Sequence, residues 1–300
     1  MARLIPNPIL HLNAARAAGG TGAGSNTVPT SSFYDLSGNA HHGTLTGFDY
    51  EAGDRPRTNS ETDKALWHDL SGNGNDGTLS GFAYTEASGW DGVGSVGDPY
   101  SLVFTPTDDL VTVPHDVSLA YGADFAEELW GIPVFSGGWW WAWTKSDSAS
   151  YGTLVGICIQ QTTGDLGRSR ACVGPWFTDA YTYTSVPAVS LQNTLHQLVV
   201  VRSAGYTMMY LDGADLGYHV ANTVDLSAVT RDGLHQGPGG TATPFAGALL
   251  GHRRYSGALS AAEVAQNYAA GPTGTGYVRD GLVLDLNAAR AVRPSGWVEL

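Results

Sequence analysis

Three scarcities bound this chain before any pattern is sought. Only Cys158 and Cys172 occur in 300 residues, which is too few for a disulfide framework. They read either as two small buried thiols or as one pair facing across a hairpin. Lysine is confined to Lys64 and Lys145, the 13 arginines gather nowhere beyond Arg253-Arg254, and the formal net charge is −13. Such a chain lacks the basic footprint that nucleic-acid phosphates require, so nucleic acid is excluded as the main partner. No apolar run approaches the roughly 18 residues of a membrane span, and no membrane partner is expected. The first residues, Met1-Ala-Arg-Leu-Ile-Pro-Asn-Pro, have no apolar h-region of a secretion signal. Synthesis in a cytoplasm without an export signal is therefore expected.

Glutamate is also scarce. The seven are Glu51, Glu61, Glu86, Glu127, Glu128, Glu263 and Glu299. None begins the alternating carboxylate ladder that would put an acid and a nucleophile on one face of a strand for retaining glycoside hydrolysis. Glu127 and Glu128 are adjacent and would point to opposite faces of a strand. Gly-x-Ser-x-Gly, His-Glu-x-x-His and the P-loop are missing too. No catalytic residue is assigned, and the expectation is a protein that is not an enzyme, with a glycan-binding module as the first alternative and a glycoside hydrolase with an unfamiliar site as the second.

What the chain has in excess is glycine, 40 residues, beside 14 prolines. With no collagen period, this composition reads as many turns between short strands. Strands are expected at Tyr100–Phe104, Leu110–Pro114, Gly138–Thr144, Thr153–Gln161, Arg170–Trp176, His196–Arg202, Thr207–Leu211 and Phe245–Gly251. A turn is expected at Thr163-Gly164-Asp165, and Leu211-Asp212-Gly213-Ala214 closes a tight one. One helix is signalled by Ser260 with Glu263 three residues on, the capping-box spacing, and by Gly271-Pro272 as a stop.

The chain also repeats itself. Asp35–Tyr50 reads DLSGNAHHGTLTGFDY and Asp69–Tyr84 reads DLSGNGNDGTLSGFAY, identical at eleven of sixteen positions at an offset of 34. Leu10–Ala17 (LHLNAARA) returns as Leu284–Ala291 (LDLNAARA), identical at seven of eight. Residues 1–64 read as an N-terminal arm with a partial repeat, 65–271 as the body, and 272–300 as a C-terminal arm repeating the opening strand.

Five motifs in order carry a family resemblance. They are Trp67-His-Asp-Leu-Ser-Gly-Asn; Ser101-Leu-Val-Phe with Asp108-Asp109-Leu-Val-Thr-Val-Pro; Trp141-Ala-Trp-Thr-Lys; His196-Gln-Leu-Val-Val-Val-Arg with Met209-Tyr-Leu-Asp-Gly; and Gly257-Ala-Leu-Ser-Ala-Ala-Glu-Val-Ala-Gln-Asn-Tyr. Together they resemble the laminin-G-like, concanavalin A-like lectin/glucanase jelly roll. The resemblance implies an all-β antiparallel sandwich with one short C-terminal helix. Its opening pattern is similar to that of domains in bacteriophage heads and tails. This implies a virion location, as capsid decoration or in a tail, with further copies of the chain and a major capsid protein as partners.

Ligand candidates are few. Asp69, Asn73, Asn75 and Asp76 offer oxygens at short spacing for calcium, as do Asp108 and Asp109. The competing reading is turn chemistry, with Asp69 and Ser71 accepting backbone N–H groups. In Trp139-Trp140-Trp141-Ala142-Trp143, strict alternation puts Trp139, Trp141 and Trp143 on one face and Trp140 on the other. Trp140 is thus the candidate for stacking on a host-surface glycan. His41-His42 lack a third metal ligand and read as loop. The echoing end strands suit either the chain's own sandwich or a neighbouring copy.

Overall fold

A computed structural model describes residues 32–33, 43–44, 65–85, 87–92, 99–105, 107–134, 138–147, 152–161, 168–175, 182–183, 191–235, 245–274 and 276–288. The opening strand Leu10–Ala17, most of the first DLSGN copy with His41-His42, and the turn at 163–165 lie outside the described residues. The chain divides into two units, Met1–Glu61 with Pro294–Leu300, and Thr62–Arg293. In the first, β1 (Ser32–Phe33) pairs with β2 (Gly43–Thr44), Ser32 opposite Thr44.

The second unit carries β3 (Leu66–Trp67), β4 (Gly77–Ser80), β5 (Gly89–Asp91), β6 (Ser101–Phe104), β7 (Leu110–Val113), a 3-10 turn (Val117–Leu119), β8 (Phe125–Pro133), β9 (Gly138–Ser146), β10 (Thr153–Gln161), β11 (Arg168–Pro175), β12 (Thr182–Tyr183), β13 (His196–Ser203), β14 (Tyr206–Leu211), β15 (Ala214–Ala221), β16 (Gly233–Leu234), β17 (Gly247–Tyr255), the helix α1 (Ala261–Ala270) and β18 (Leu282–Asn287). One sheet runs β12-β11-β10-β9-β16-β7-β4-β3, the other β15-β14-β13-β8-β17-β6-β5, and every strand pair is antiparallel. This is the all-β sandwich that the motif order implies. Among the described residues no helix is long and apolar enough to cross a membrane.

Burial explains the layering. Phe125, Leu129, Leu198, Val200, Leu249, Leu284 and Leu286 of one sheet meet Val111, Val113, Trp143, Val155 and Ile157 of the other in a single core. The opposite face of the second sheet is also covered. Ala126, Val199, Val201, Tyr210 and Tyr255 pack with Leu259, Val264 and Val278 around α1. Strands β13 and β17 are therefore buried on both faces; β13 reads as the continuous apolar run Leu198–Val201, while the buried positions of β17 include His252, Arg253 and Arg254. The helix starts as its capping box dictates: Ser260 accepts from Glu263 N–H, and Glu263 reaches back to the Ser260 N–H at 2.7 Å. In the turn between β14 and β15, Asp212 and Gly213 have φ of 51° and 78°, the type I′ signature of a two-residue hairpin.

Four expectations are revised. Strand β8 was not foreseen, because Ala126-Glu127-Glu128-Leu129 has helical propensity and becomes a strand only through its tertiary partners. The last body strand runs on to Tyr255. A register shift between Ile157 and Cys158, opposite Trp143 and Trp141, breaks the strict alternation of the tryptophan strand: Ala142 and Trp143 both enter the inter-sheet core. Finally, Cys158 lies opposite Arg170 and Cys172 opposite Gly156. The cysteines are thus diagonal neighbours in the hairpin and not direct partners.

Strand β18 resolves one of the two options for the C-terminal echo. It pairs with the second half of β17, Gly251 opposite Asn287 and Arg254 opposite Leu284, while β6 pairs with the first half. Leu282–Asn287 completes this chain's own sandwich and is not a free arm.

Candidate functional site

The Asp69 turn and β18 meet directly. Both Asp69 carboxylate oxygens are engaged: Oδ1 accepts the N–H of Ser71 and of Asp285, each at 2.9 Å, and Oδ2 accepts the Ser71 hydroxyl at 2.8 Å and the Asn75 N–H at 2.9 Å. Asp76 Oδ1 accepts the Asp69 N–H at 2.7 Å. Asn75 donates its side-chain amide to the Val283 carbonyl at 2.9 Å, and Asn73 donates to the same carbonyl at 3.3 Å. The Leu70 N–H donates to the Asp285 carbonyl at 2.9 Å. Gly72 and Gly74 have φ of 94° and 75°, which side chains resist. The four calcium candidates of this turn are therefore brought together, but their polar atoms engage backbone groups of the turn and of β18 and the hydroxyls of Ser71 and Ser118. The two asparagines present amide nitrogens, not oxygens, to the strand.

Asp109 is buried and works locally. Its carboxylate accepts from the Ser88 hydroxyl at 2.9 Å, the Thr105 N–H at 2.6 Å and the Thr105 hydroxyl at 2.9 Å. Asp108 is exposed and accepts from the Thr107 hydroxyl. Among the described residues no group of three or more His, Cys, Asp or Glu side chains could hold a metal ion. Trp140 lies opposite Ile159 in the sheet; its side chain is outside the described residues. Trp141 and Trp143 are buried.

Sequence reasoning missed two buried ionic clusters, one on each face of β8. Glu127 lies opposite Arg254 and Glu128 opposite Arg253. On the inter-sheet face, Glu127 accepts from the Tyr121 hydroxyl at 2.6 Å and from His252 Nε2 at 2.8 Å. The Arg254 Nε is 3.6 Å from Glu127, and its guanidinium lies 3.7 Å over the Tyr121 ring. Burial pushes the Glu127 carboxyl up, but the His252 hydrogen bond and the Arg254 charge outweigh it and hold the group below its ordinary range. Beside them on β9, Lys145 Nζ donates to the Arg231 carbonyl at 2.7 Å and sits 2.8 Å from His115 Nδ1. Burial, then the charge of Arg254, lowers its pKa to about 8.

On the outer face, Glu128 accepts from Arg253 at 3.0 Å, Trp130 at 2.6 Å, Gln197 at 3.1 Å and Asn267 of α1 at 2.6 Å. Arg253 also reaches Asp285 at 3.3 Å, and the Tyr277 hydroxyl donates to Asp285 at 2.6 Å. Burial would lower the Arg253 pKa, but the carboxylates of Glu128 and Asp285 raise it overall. The two adjacent glutamates thus face opposite ways, fully buried, each against its own arginine. They cannot work together as the acid and nucleophile of one sugar-cleaving site. The legible signal was a doublet of acids in one segment and of arginines in another.

No family model matches the chain, and no curated protein matches it. Among solved structures it is similar to the Trypanosoma rangeli sialidase in complex with sialic acid, with a TM-score of 0.50 and 12% identity over 70% of this chain and 32% of that one. It is also similar to domain 4 of a GH43 extracellular arabinanase from Geobacillus stearothermophilus in complex with arabinotriose, with a TM-score of 0.49 and 15% identity over 68% of this chain and 93% of that domain. Tailspike protein 2 from the Escherichia coli O157:H7 bacteriophage CAB120 follows, with a TM-score of 0.48 and 10% identity over 68% of this chain and 30% of that one. The chain therefore spans about a third of the sialidase and of the tailspike. At these identities the likeness concerns the fold alone, a jelly-roll β-sandwich.

Proposed function

We propose that this chain is a non-enzymatic structural protein of a bacteriophage virion, a capsid decoration or minor structural protein that assembles with further copies of itself and with a major capsid protein. The observation that carries the reading is the duplicated strand-and-turn pair. Its described copy is a backbone clamp that seats one strand in a sheet. A chain with a second copy of both halves is equipped for joining sheets. The sealed glutamates, and the Asp69 oxygens spent on the turn and on β18, support building over catalysis. The opening motifs, which resemble those of phage structural domains, support a virion location. Antibody labelling of purified particles tests it: label at regular capsid positions is expected, and its absence from every virion-like assembly overturns it.

A second reading, a module that binds host-surface glycans, rests on the tryptophan strand. Glycan-array binding that is lost on Trp140→Ala would favour it over the structural role.

A further inference from the structure

The slot that receives β18 recognises a strand in two ways. The turn side reads backbone alone, through Asp69 to the Asp285 N–H and through Asn75 to the Val283 carbonyl. The sheet side reads side chains. Leu284 and Leu286 enter the inter-sheet core, and Asn287 donates to the Pro272 carbonyl at 2.6 Å. Asp285 meets Arg253 and Tyr277. Residues 10–17 carry the same string, with Leu10, Leu12 and Asn13 in the places of Leu284, Leu286 and Asn287. The one departure in the eight is His11, where the seated strand has Asp285. It falls on the residue that faces the buried Arg253.

We infer that the slot is a strand-exchange site whose second occupant is residues 10–17 of another copy of this chain, and that the residue facing Arg253 selects the occupant. An aspartate there gives Arg253 a second carboxylate beside Glu128 and accepts from Tyr277. A histidine brings no compensating charge when neutral and repels the guanidinium when protonated. The native chain therefore closes on its own β18. Residues 10–17 enter where β18 withdraws, linking one copy's N-terminal segment to the next copy's body in a head-to-tail series. This rests on the assembly reading for its use, but its test needs only pure protein, so a failure here leaves the particle-labelling result standing.

The test exchanges the two residues in the full-length chain. The double variant His11→Asp with Asp285→His should form linked species whose native mass rises with concentration above that of the native chain. In parallel, a synthetic peptide of residues 8–17 is added to the single variant Asp285→His. The peptide carrying His11→Asp should raise its melting temperature, or restore folding if the variant is unfolded. It should act at concentrations about tenfold or more below those needed by the native-sequence peptide. A double variant with the native chain's mass at every concentration overturns the inference. So do two peptides that act equally or not at all.

Discussion

Asp69 accepts the backbone N–H of Asp285 at 2.9 Å across 216 positions of sequence. The same carboxylate holds its own turn through Ser71 and Asn75, so forming the turn and seating the last strand are one event. Replacing Asp69 with Ala removes acceptors from four donors. The expected loss is about 2–3 kcal/mol in urea unfolding, given the worth of hydrogen bonds to a charged acceptor. Asp108→Ala, at an exposed carboxylate outside this network, should stay within about 0.5 kcal/mol.

Glu127 is the counter-charge of the buried Arg254 guanidinium. Glu127→Gln leaves Arg254 buried without its carboxylate, and a loss of about 3–5 kcal/mol is expected. The pH dependence follows from the lowered carboxyl pKa. The contribution is full above the ordinary value of 4.5 and is lost as pH falls through the lower folded value. Below pH 4.5 the native chain should therefore lose stability more steeply than Glu127→Gln, as read by denaturant titrations across that range.

Lys145 adds a second window of the same sign at higher pH. Its pKa falls from 10.5 to about 8 on folding, so between those values the unfolded chain binds more protons and native stability rises with pH. Lys145→Met has no such term. The melting temperature of Lys145→Met minus that of the native chain should shrink from pH 7.5 to pH 10. The buried tyrosines titrate in both proteins, and the difference cancels them.

At the helix, Ser260→Ala removes the acceptor for the Glu263 N–H. A cost of about 1 kcal/mol is expected, as for other N-caps. Glu263→Gln should cost less, since an amide can still reach back to the Ser260 N–H.

Local signals were legible and long-range ones were not. The hairpin turn at Asp212-Gly213 and the capping box at Ser260 and Glu263 depend on residues within a few positions, and both stand as expected. Strand β8 was hidden because Glu127 and Glu128 are strand residues only in the company of His252, Arg253 and Arg254, about 125 positions away. The Asp69 turn was visible as a turn, but its second job was not, because its partner is the far end of the chain. The repeated strings held that information: the strand that echoes at both ends is the one the turn was built to hold. The tryptophan strand misled because a one-residue bulge resets which side chains share a face.

Amide hydrogen exchange at Asp285 in the intact chain, with calcium and with a chelator, tests the central claim most directly. If the turn is a strand clamp, the Asp285 N–H exchanges as slowly as the core amides of β13, at the same rate in both conditions. Exchange at the rate of an exposed loop, or protection that appears only with calcium, would contradict it.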